Sequence, residues 1–142
     1  MRISQILQTK GRDVATVAPT TPVLEVAAML RDKRIGAVVV MDSAEKIMGI
    51  ASERDIVRAL PEHGSEFLGM TISELMTADV VTCTPMSGVN DIMRMMTRGR
   101  FRHVPVLEEG RLLGIVSIGD LVKARIEELE HEKEALESYV KS

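Results

Sequence analysis

Two short stretches hold the residues whose types and spacing could do chemistry. Residues 49–55 read GIASERD and residues 114–120 read GIVSIGD. Each is an apolar, strand-like run, then Ser-x-x-Asp (Ser52 and Asp55; Ser117 and Asp120), then a helical pattern. A helix start offers unpaired backbone N–H groups and the positive end of a dipole, and both favour phosphate. The Ser hydroxyl can donate to a phosphate or ribose oxygen. The Asp carboxylate, one turn on, can accept from both hydroxyls of a ribose. The same spacing is also nearly a capping box, with Ser at the N-cap and an acid at the third helical position. For one copy alone the cap is the simpler account. Two copies at matched places favour a nucleotide ribose–phosphate site, since both hold Asp rather than the commoner capping Glu.

The two stretches belong to a duplication. Residues 15–41 lie over 81–107 at an offset of 66, and 46–58 lie over 111–123 at an offset of 65. Identical pairs run the whole length: Thr16/Thr82, Pro19/Pro85, Val23/Val89, Met29/Met95, Arg34/Arg100, Val38/Val104, Val40/Val106, Gly49/Gly114, Ile50/Ile115, Ser52/Ser117, Asp55/Asp120 and Val57/Val122. The single deletion falls in a polar turn, DSAEK against EEGR. Each half opens with a short β segment (VAT or VVT) and continues into an amphipathic helix. Val23, Val26, Ala27 and Leu30 give the i, i+3, i+4, i+7 stripe in the first half, and Val89, Ile92, Met93 and Met96 repeat it. Thr21 or Ser87 is expected to cap that helix, with Gly36 or Gly99 near its end. AVVVM and KIMGIAS, then HVPVL and RLLGIVS, read as hairpins, and a second helix closes each half. The order is β-α-β-β-α, twice. The fold class is α/β (α+β), with helices on one face of each sheet. Neither half has an obviously sufficient core alone, so the repeats are expected to pack sheet to sheet with pseudo-two-fold symmetry. Between them, Thr71 and Glu74 have capping-box spacing and open a short helix.

Composition bounds the rest. Apolar residues are 45% and charged residues 27% of 142, which excludes disorder as the main state. With two Phe, one Tyr, no Trp and ten Met, the core must be aliphatic and Met-rich. A net charge of −3 excludes nucleic-acid binding through bulk charge alone. One cysteine, Cys83, permits no intrachain disulfide and reads as a small core residue. The N-terminus is too polar for a signal peptide, and no apolar run approaches the ~20 residues of a membrane span. The expectation is a cytoplasmic protein with no membrane partner.

The ordered motifs resemble a tandem pair of CBS (cystathionine β-synthase) domains, a Bateman module. The resemblance rests on Thr16/Thr82 before Pro, the amphipathic helix, RIGAVVV and FRHVPVL, and GI-x-S-x-x-D in both halves, and it covers roughly residues 7–125. It implies adenosine-containing ligands in clefts between repeats, assembly into a disc-like homodimer, and regulation of another protein. It implies a first nucleotide site with Thr16, Ile35, Gly36, Ala37, Val38, Ser52, Arg54 and Asp55. The second would hold Thr82, Phe101, Arg102, His103, Val104, Pro105, Ser117 and Asp120. In both, the Asp takes the ribose, the Ser a phosphate or ribose hydroxyl, and the Thr strand lines the adenine. Arg102 and His103 match positions that reach phosphates in the family. The first repeat has Gly36 and Ala37 there, with Arg54 as a substitute, so the two sites should not be equivalent. His103 can alternatively be a satisfied strand-end histidine; His63 and His131 read as surface residues.

The expected domains are repeat 1 at 7–62, a linker with a short helix at 63–75, repeat 2 at 76–125 and a C-terminal helical extension at 126–142. Val122, Ile126, Leu129, Leu136 and Val140 form a heptad-like seam on that helix, read either as packing on its own module or as a homodimer contact. No catalytic triad, metal-spaced His/Cys cluster or phosphate-binding Gly-rich loop is present, so neither an enzyme nor a catalytic cofactor or metal is expected. The function read from the chain is a regulatory, energy- or redox-sensing module. It would bind AMP, ADP, ATP or NAD(H), with S-adenosylmethionine sharing the same adenosine, and act on a separate partner protein. The alternative is a dimerising interaction module with vestigial sites.

Overall fold

The computed structural model describes residues 1–141. Residue 142, the last of the expected C-terminal extension, lies outside them. In chain order the elements are α1 (Ile3–Lys10), β1 (Thr16–Val17), α2 (Val23–Lys33), β2 (Ala37–Met41), β3 (Ile47–Ser52), α3 (Glu53–His63), 3-10 turns at Gly64–Gly69 and Ile72–Glu74, α4 (Val89–Gly99), β4 (His103–Glu108), β5 (Arg111–Ser117) and α5 (Ile118–Lys141). Both hairpins are antiparallel as expected: Val39 faces Ile50, and Pro105 faces Ile115. Among the described residues no helix is long and apolar enough to cross a membrane.

The chain divides into two compact units. One comprises residues 13–81; the other joins Met1–Arg12 to the chain from Thr82 onward. In the first, the three-stranded sheet β1-β2-β3 is covered by α2 and α3. Val23, Val26 and Leu30 of α2 meet Val38, Val40 and Ala51 of the sheet and Ile56 and Ala59 of α3, with Phe67 and Ile72 closing the core. In the second, Val89, Ile92 and Met96 of α4 pack on Val104, Val106 and Val116, together with Ile3, Ile6 and Leu7 of α1, Cys83, and Leu121 of α5. The i, i+3, i+7 stripes therefore face the sheets, which is what buries each helix. Burial pushes the Cys83 thiol up to about 11, in keeping with a core role.

Three local expectations are corrected. The opening strand of the second repeat shrinks to one parallel bridge, Cys83 to Val106. In the first repeat the Val39 amide donates to the Ala15 carbonyl at 3.0 Å. The matched position is Pro105, which has no N–H to give. Cys83 still donates to the Pro105 carbonyl at 3.0 Å and accepts from Leu107 at 2.8 Å. Secondly, Thr21 and Ser87 do not cap their helices. The N-caps are Pro22 and Gly88, without side-chain bonds; the Ser87 hydroxyl turns back to accept the Thr84 amide at 3.0 Å. Thirdly, Arg34 and Arg100, not Gly36 and Gly99, take the left-handed C-cap, at φ 54° and 57°.

Each repeat is completed by a head that precedes the other repeat in sequence. The Ile3 amide donates to Ser87, Ser4 to Pro85, and Val89 to Met1 (3.0, 2.9 and 3.1 Å). In the other unit Ile72 donates to Thr21, Ser73 to Pro19, and Val23 to Met70 (2.8, 3.2 and 3.0 Å). The two heads read ISQIL and ISELM, and Thr71 and Glu74 form the expected capping box on the second. Two matched glycines make room for the end of each head. A Cβ on Gly49 would lie 2.8 Å from the Thr77 carbonyl, and one on Gly114 would lie 3.1 Å from a Leu7 methyl.

Candidate functional site

Each Ser-x-x-Asp box sits where a strand turns into a helix. Ser52 ends β3 in extended conformation and is the N-cap of α3. Its amide donates to Asp55 Oδ2 at 2.8 Å and its hydroxyl to the same oxygen at 3.1 Å, while the Asp55 amide donates to Ser52 Oγ at 3.3 Å. In the other unit the Ser117 amide donates to Asp120 Oδ2 at 2.8 Å, and the Asp120 amide to Ser117 Oγ at 3.1 Å. The cap therefore forms in both copies. It does not exclude a ligand role: the cap holds each carboxylate through Oδ2. Asp55 Oδ1 is met by the Thr77 hydroxyl at the long distance of 3.5 Å.

The backbone brings most of the expected site residues to these boxes. Ala37 pairs with Ser52 and Val38 with Ala51, and the Glu53 amide donates to the Gly36 carbonyl at 3.0 Å. Ile35, half-buried, is tied to Leu30 just ahead of them. Arg54 is half-buried in the first turn of α3. Thr16 stands apart: it pairs with Val39 on β1, so β2 separates it from Ser52 and Asp55. In the other unit His103 pairs with Ser117 and Val104 with Val116, and the Ile118 amide donates to the Arg102 carbonyl at 2.8 Å. Phe101, half-buried, bonds back to Met96. Arg102 is exposed, His103 half-buried, and Pro105 lies deeper along the buried strand. Thr82 is exposed beside Cys83, which is bonded to Pro105.

One residue at these sites is absent from the sequence-based expectation. Lys10, at the end of α1, donates to Asp120 Oδ2 at 2.5 Å and to the Ile115 carbonyl at 2.7 Å. Burial acts to raise the Asp120 carboxyl. The Lys10 ammonium and the Ser117 amide and hydroxyl outweigh it, so the group sits below its ordinary value. The signal that could have found Lys10 is the ISQIL/ISELM pair. It shows that the segment before the first repeat has a structural counterpart, and that its helix continues where the counterpart stops. Among the described residues no three His, Cys, Asp or Glu side chains gather as a metal ion would need.

The family profile described as CBS domain matches residues 3–62 and 72–127. A crystal structure of a CBS-domain-containing protein from Agrobacterium tumefaciens is 48% identical, with a TM-score of 0.86, over 88% of this chain and 99% of that one. The mitochondrial CBS-domain-containing protein CBSX3 of Arabidopsis thaliana is 32% identical over 97% of this chain and 71% of its own. The CBS domain pair of protein MJ0100, solved with 5′-methylthioadenosine and S-adenosyl-L-methionine, is 25% identical, with a TM-score of 0.80, over 90% of this chain and 98% of that one. The two matched segments span both repeats, and the chain belongs to the CBS-domain family as a tandem pair.

Proposed function

We propose that this CBS pair is a regulatory module that binds an adenosine-containing ligand, with AMP, ADP, ATP and NAD(H) as the candidates, and acts on a separate protein. The observation that carries the reading is the pair of Ser-x-x-Asp boxes. Both hold the carboxylate fixed by the helix cap through Oδ2. A pre-set acceptor costs a ribose diol little ordering on binding. The adenosine ligands of the MJ0100 pair support the same chemistry at the level of the family. Asp55 and Asp120 would take the ribose, and Arg102 and His103 would give the second site its preference for charge. Thermal shift across AMP, ADP, ATP, NAD(H), GMP and CMP tests this. An adenine ligand at a hundred times its Kd adds about 2.7 kcal/mol of apparent stability. No shift with any of them, together with flat calorimetry, would leave only the interaction module.

A homodimer belongs to the same reading. In α5 only Leu121 is buried. Ile126, Leu129 and Leu136 are 50%, 46% and 65% exposed, so the seam beyond Arg125 keeps about half or more of each side chain uncovered. A row of exposed apolar side chains of this length marks an interface, and a second copy offers the same seam to it.

A further inference from the structure

The carbonyl that Lys10 grips has a matched partner in the other unit. Ile50, the counterpart of Ile115, gives its carbonyl to the Thr77 amide at 2.8 Å. The Thr77 hydroxyl reaches the Asp55 carboxylate. One residue thus serves both acceptors, through its amide and its hydroxyl. At the other box Lys10 serves both acceptors with a single ammonium, donating to the Ile115 carbonyl and to Asp120. The substitution follows from chain length. From Leu7 to Thr16 there are nine positions, and from Met76 to Thr82 six. With three more residues in this connection, α1 runs on to Lys10 whereas the matching 3-10 turn ends at Glu74, so a flexible cationic side chain arrives where the shorter head brings a peptide group. At the matched place the two boxes differ: the Thr77 hydroxyl meets the Asp55 carboxylate, whereas the Lys10 ammonium holds Asp120.

That charge alters what can bind. A ribose diol seeks the same carboxylate that the ammonium holds. A neutral nucleoside must share or break the Lys10–Asp120 pair and leaves the ammonium without an anion. A nucleotide supplies one: the lysine stem is long, its head carries three donors, and it can pass from carboxylate to phosphate. We propose that Lys10 is a specificity-determining residue of the Asp120 site, an internal competitor for the ribose seat that rejects nucleosides and admits nucleotides, whereas Thr77 stands in the matched place at the Asp55 box. This rests on the nucleotide reading of the boxes. The pair is partly open to water, with side chains 29% and 27% exposed, so its effect is moderate and sensitive to salt.

The test is calorimetric titration of adenosine and AMP into the Asp55→Ala protein, which isolates the Asp120 site, with and without Lys10→Met. Lys10→Met should tighten adenosine by up to about fivefold and leave AMP unchanged or weaker, so that the AMP-to-adenosine preference falls severalfold. Lys10→Arg should keep most of the preference. A second reading needs no change at Lys10: in the Asp55→Ala protein, raising salt should tighten adenosine while weakening AMP. An unchanged preference in Lys10→Met, or salt moving both ligands in the same direction, overturns the role of Lys10 and leaves nucleotide binding standing. If AMP binds neither the unaltered chain nor these variants, the nucleotide reading itself falls, and this inference with it.

Discussion

Ser117 and Asp120 hold each other reciprocally: the Ser117 amide donates to the Asp120 carboxylate at 2.8 Å, and the Asp120 amide to the Ser117 hydroxyl at 3.1 Å. The capping box and the proposed ribose site are therefore one arrangement, since the bonds that start α5 also aim the carboxylate. Removing the carboxylate should damage both. Asp120→Ala should cost about 1 kcal/mol of folding stability through the lost cap, and calorimetry should show one nucleotide site fewer. Asp120→Asn keeps an acceptor for the Ser117 amide and should recover much of the stability without the charge. Asp55→Ala should remove the other site. Full ligand stoichiometry in either alanine variant would refute the assignment of that carboxylate.

The Asp120 carboxyl, held below its ordinary value by Lys10 and Ser117 against the effect of burial, links stability to pH. A depressed carboxyl stabilises the fold above its unfolded value of about 3.9, and that stability is lost as the pH falls through the lower folded value. Urea unfolding at stepwise lower pH should show the loss, and Lys10→Met should make it shallower. Equal acid sensitivity in both proteins would show that the ammonium does not hold the group down.

Gly49 and Gly114 are matched in sequence but not in what surrounds them. A Cβ on Gly49 meets the Thr77 backbone carbonyl, which cannot swing aside, whereas one on Gly114 meets the end of the flexible Leu7 side chain. Gly49→Ala should cost about 1–3 kcal/mol by overpacking, and Gly114→Ala clearly less. Chemical denaturation of the two variants measures the difference, and equal costs would contradict it.

The exposed seam of α5 should be separable from the ligand boxes. Truncation after Arg125 removes Ile126, Leu129 and Leu136, which are exposed, and leaves Leu121 in the core. Burying a Leu or Ile is worth roughly 1.5–3 kcal/mol, so sedimentation should show a weakened dimer while nucleotide binding persists. Leu129→Glu should act in the same direction. A truncated chain that remains fully dimeric would move the interface elsewhere.

The duplication made the fold legible from residue order alone. Val23, Val26 and Leu30 recur as Val89, Ile92 and Met96, and both stripes end in the cores, because amphipathic spacing and hairpin patterns are local properties of consecutive residues. The Ser52–Asp55 and Ser117–Asp120 boxes were legible for the same reason: four consecutive residues fix the geometry. Cap positions shifted by one residue, since the backbone could satisfy Thr21 and Ser87 in other ways. Pro105 shows an effect the spacing contained but the repeat disguised, as a missing N–H shortens the strand beside it. Lys10 is the other kind of case. It lies 110 positions from Asp120, and nothing in its neighbours Thr9 and Gly11 marks it as a ligand-site residue. Only the docking of the ISQIL head, through backbone bonds to Pro85 and Ser87, carries its ammonium to that carboxylate, because a long-range ion pair depends on where two distant segments come to rest.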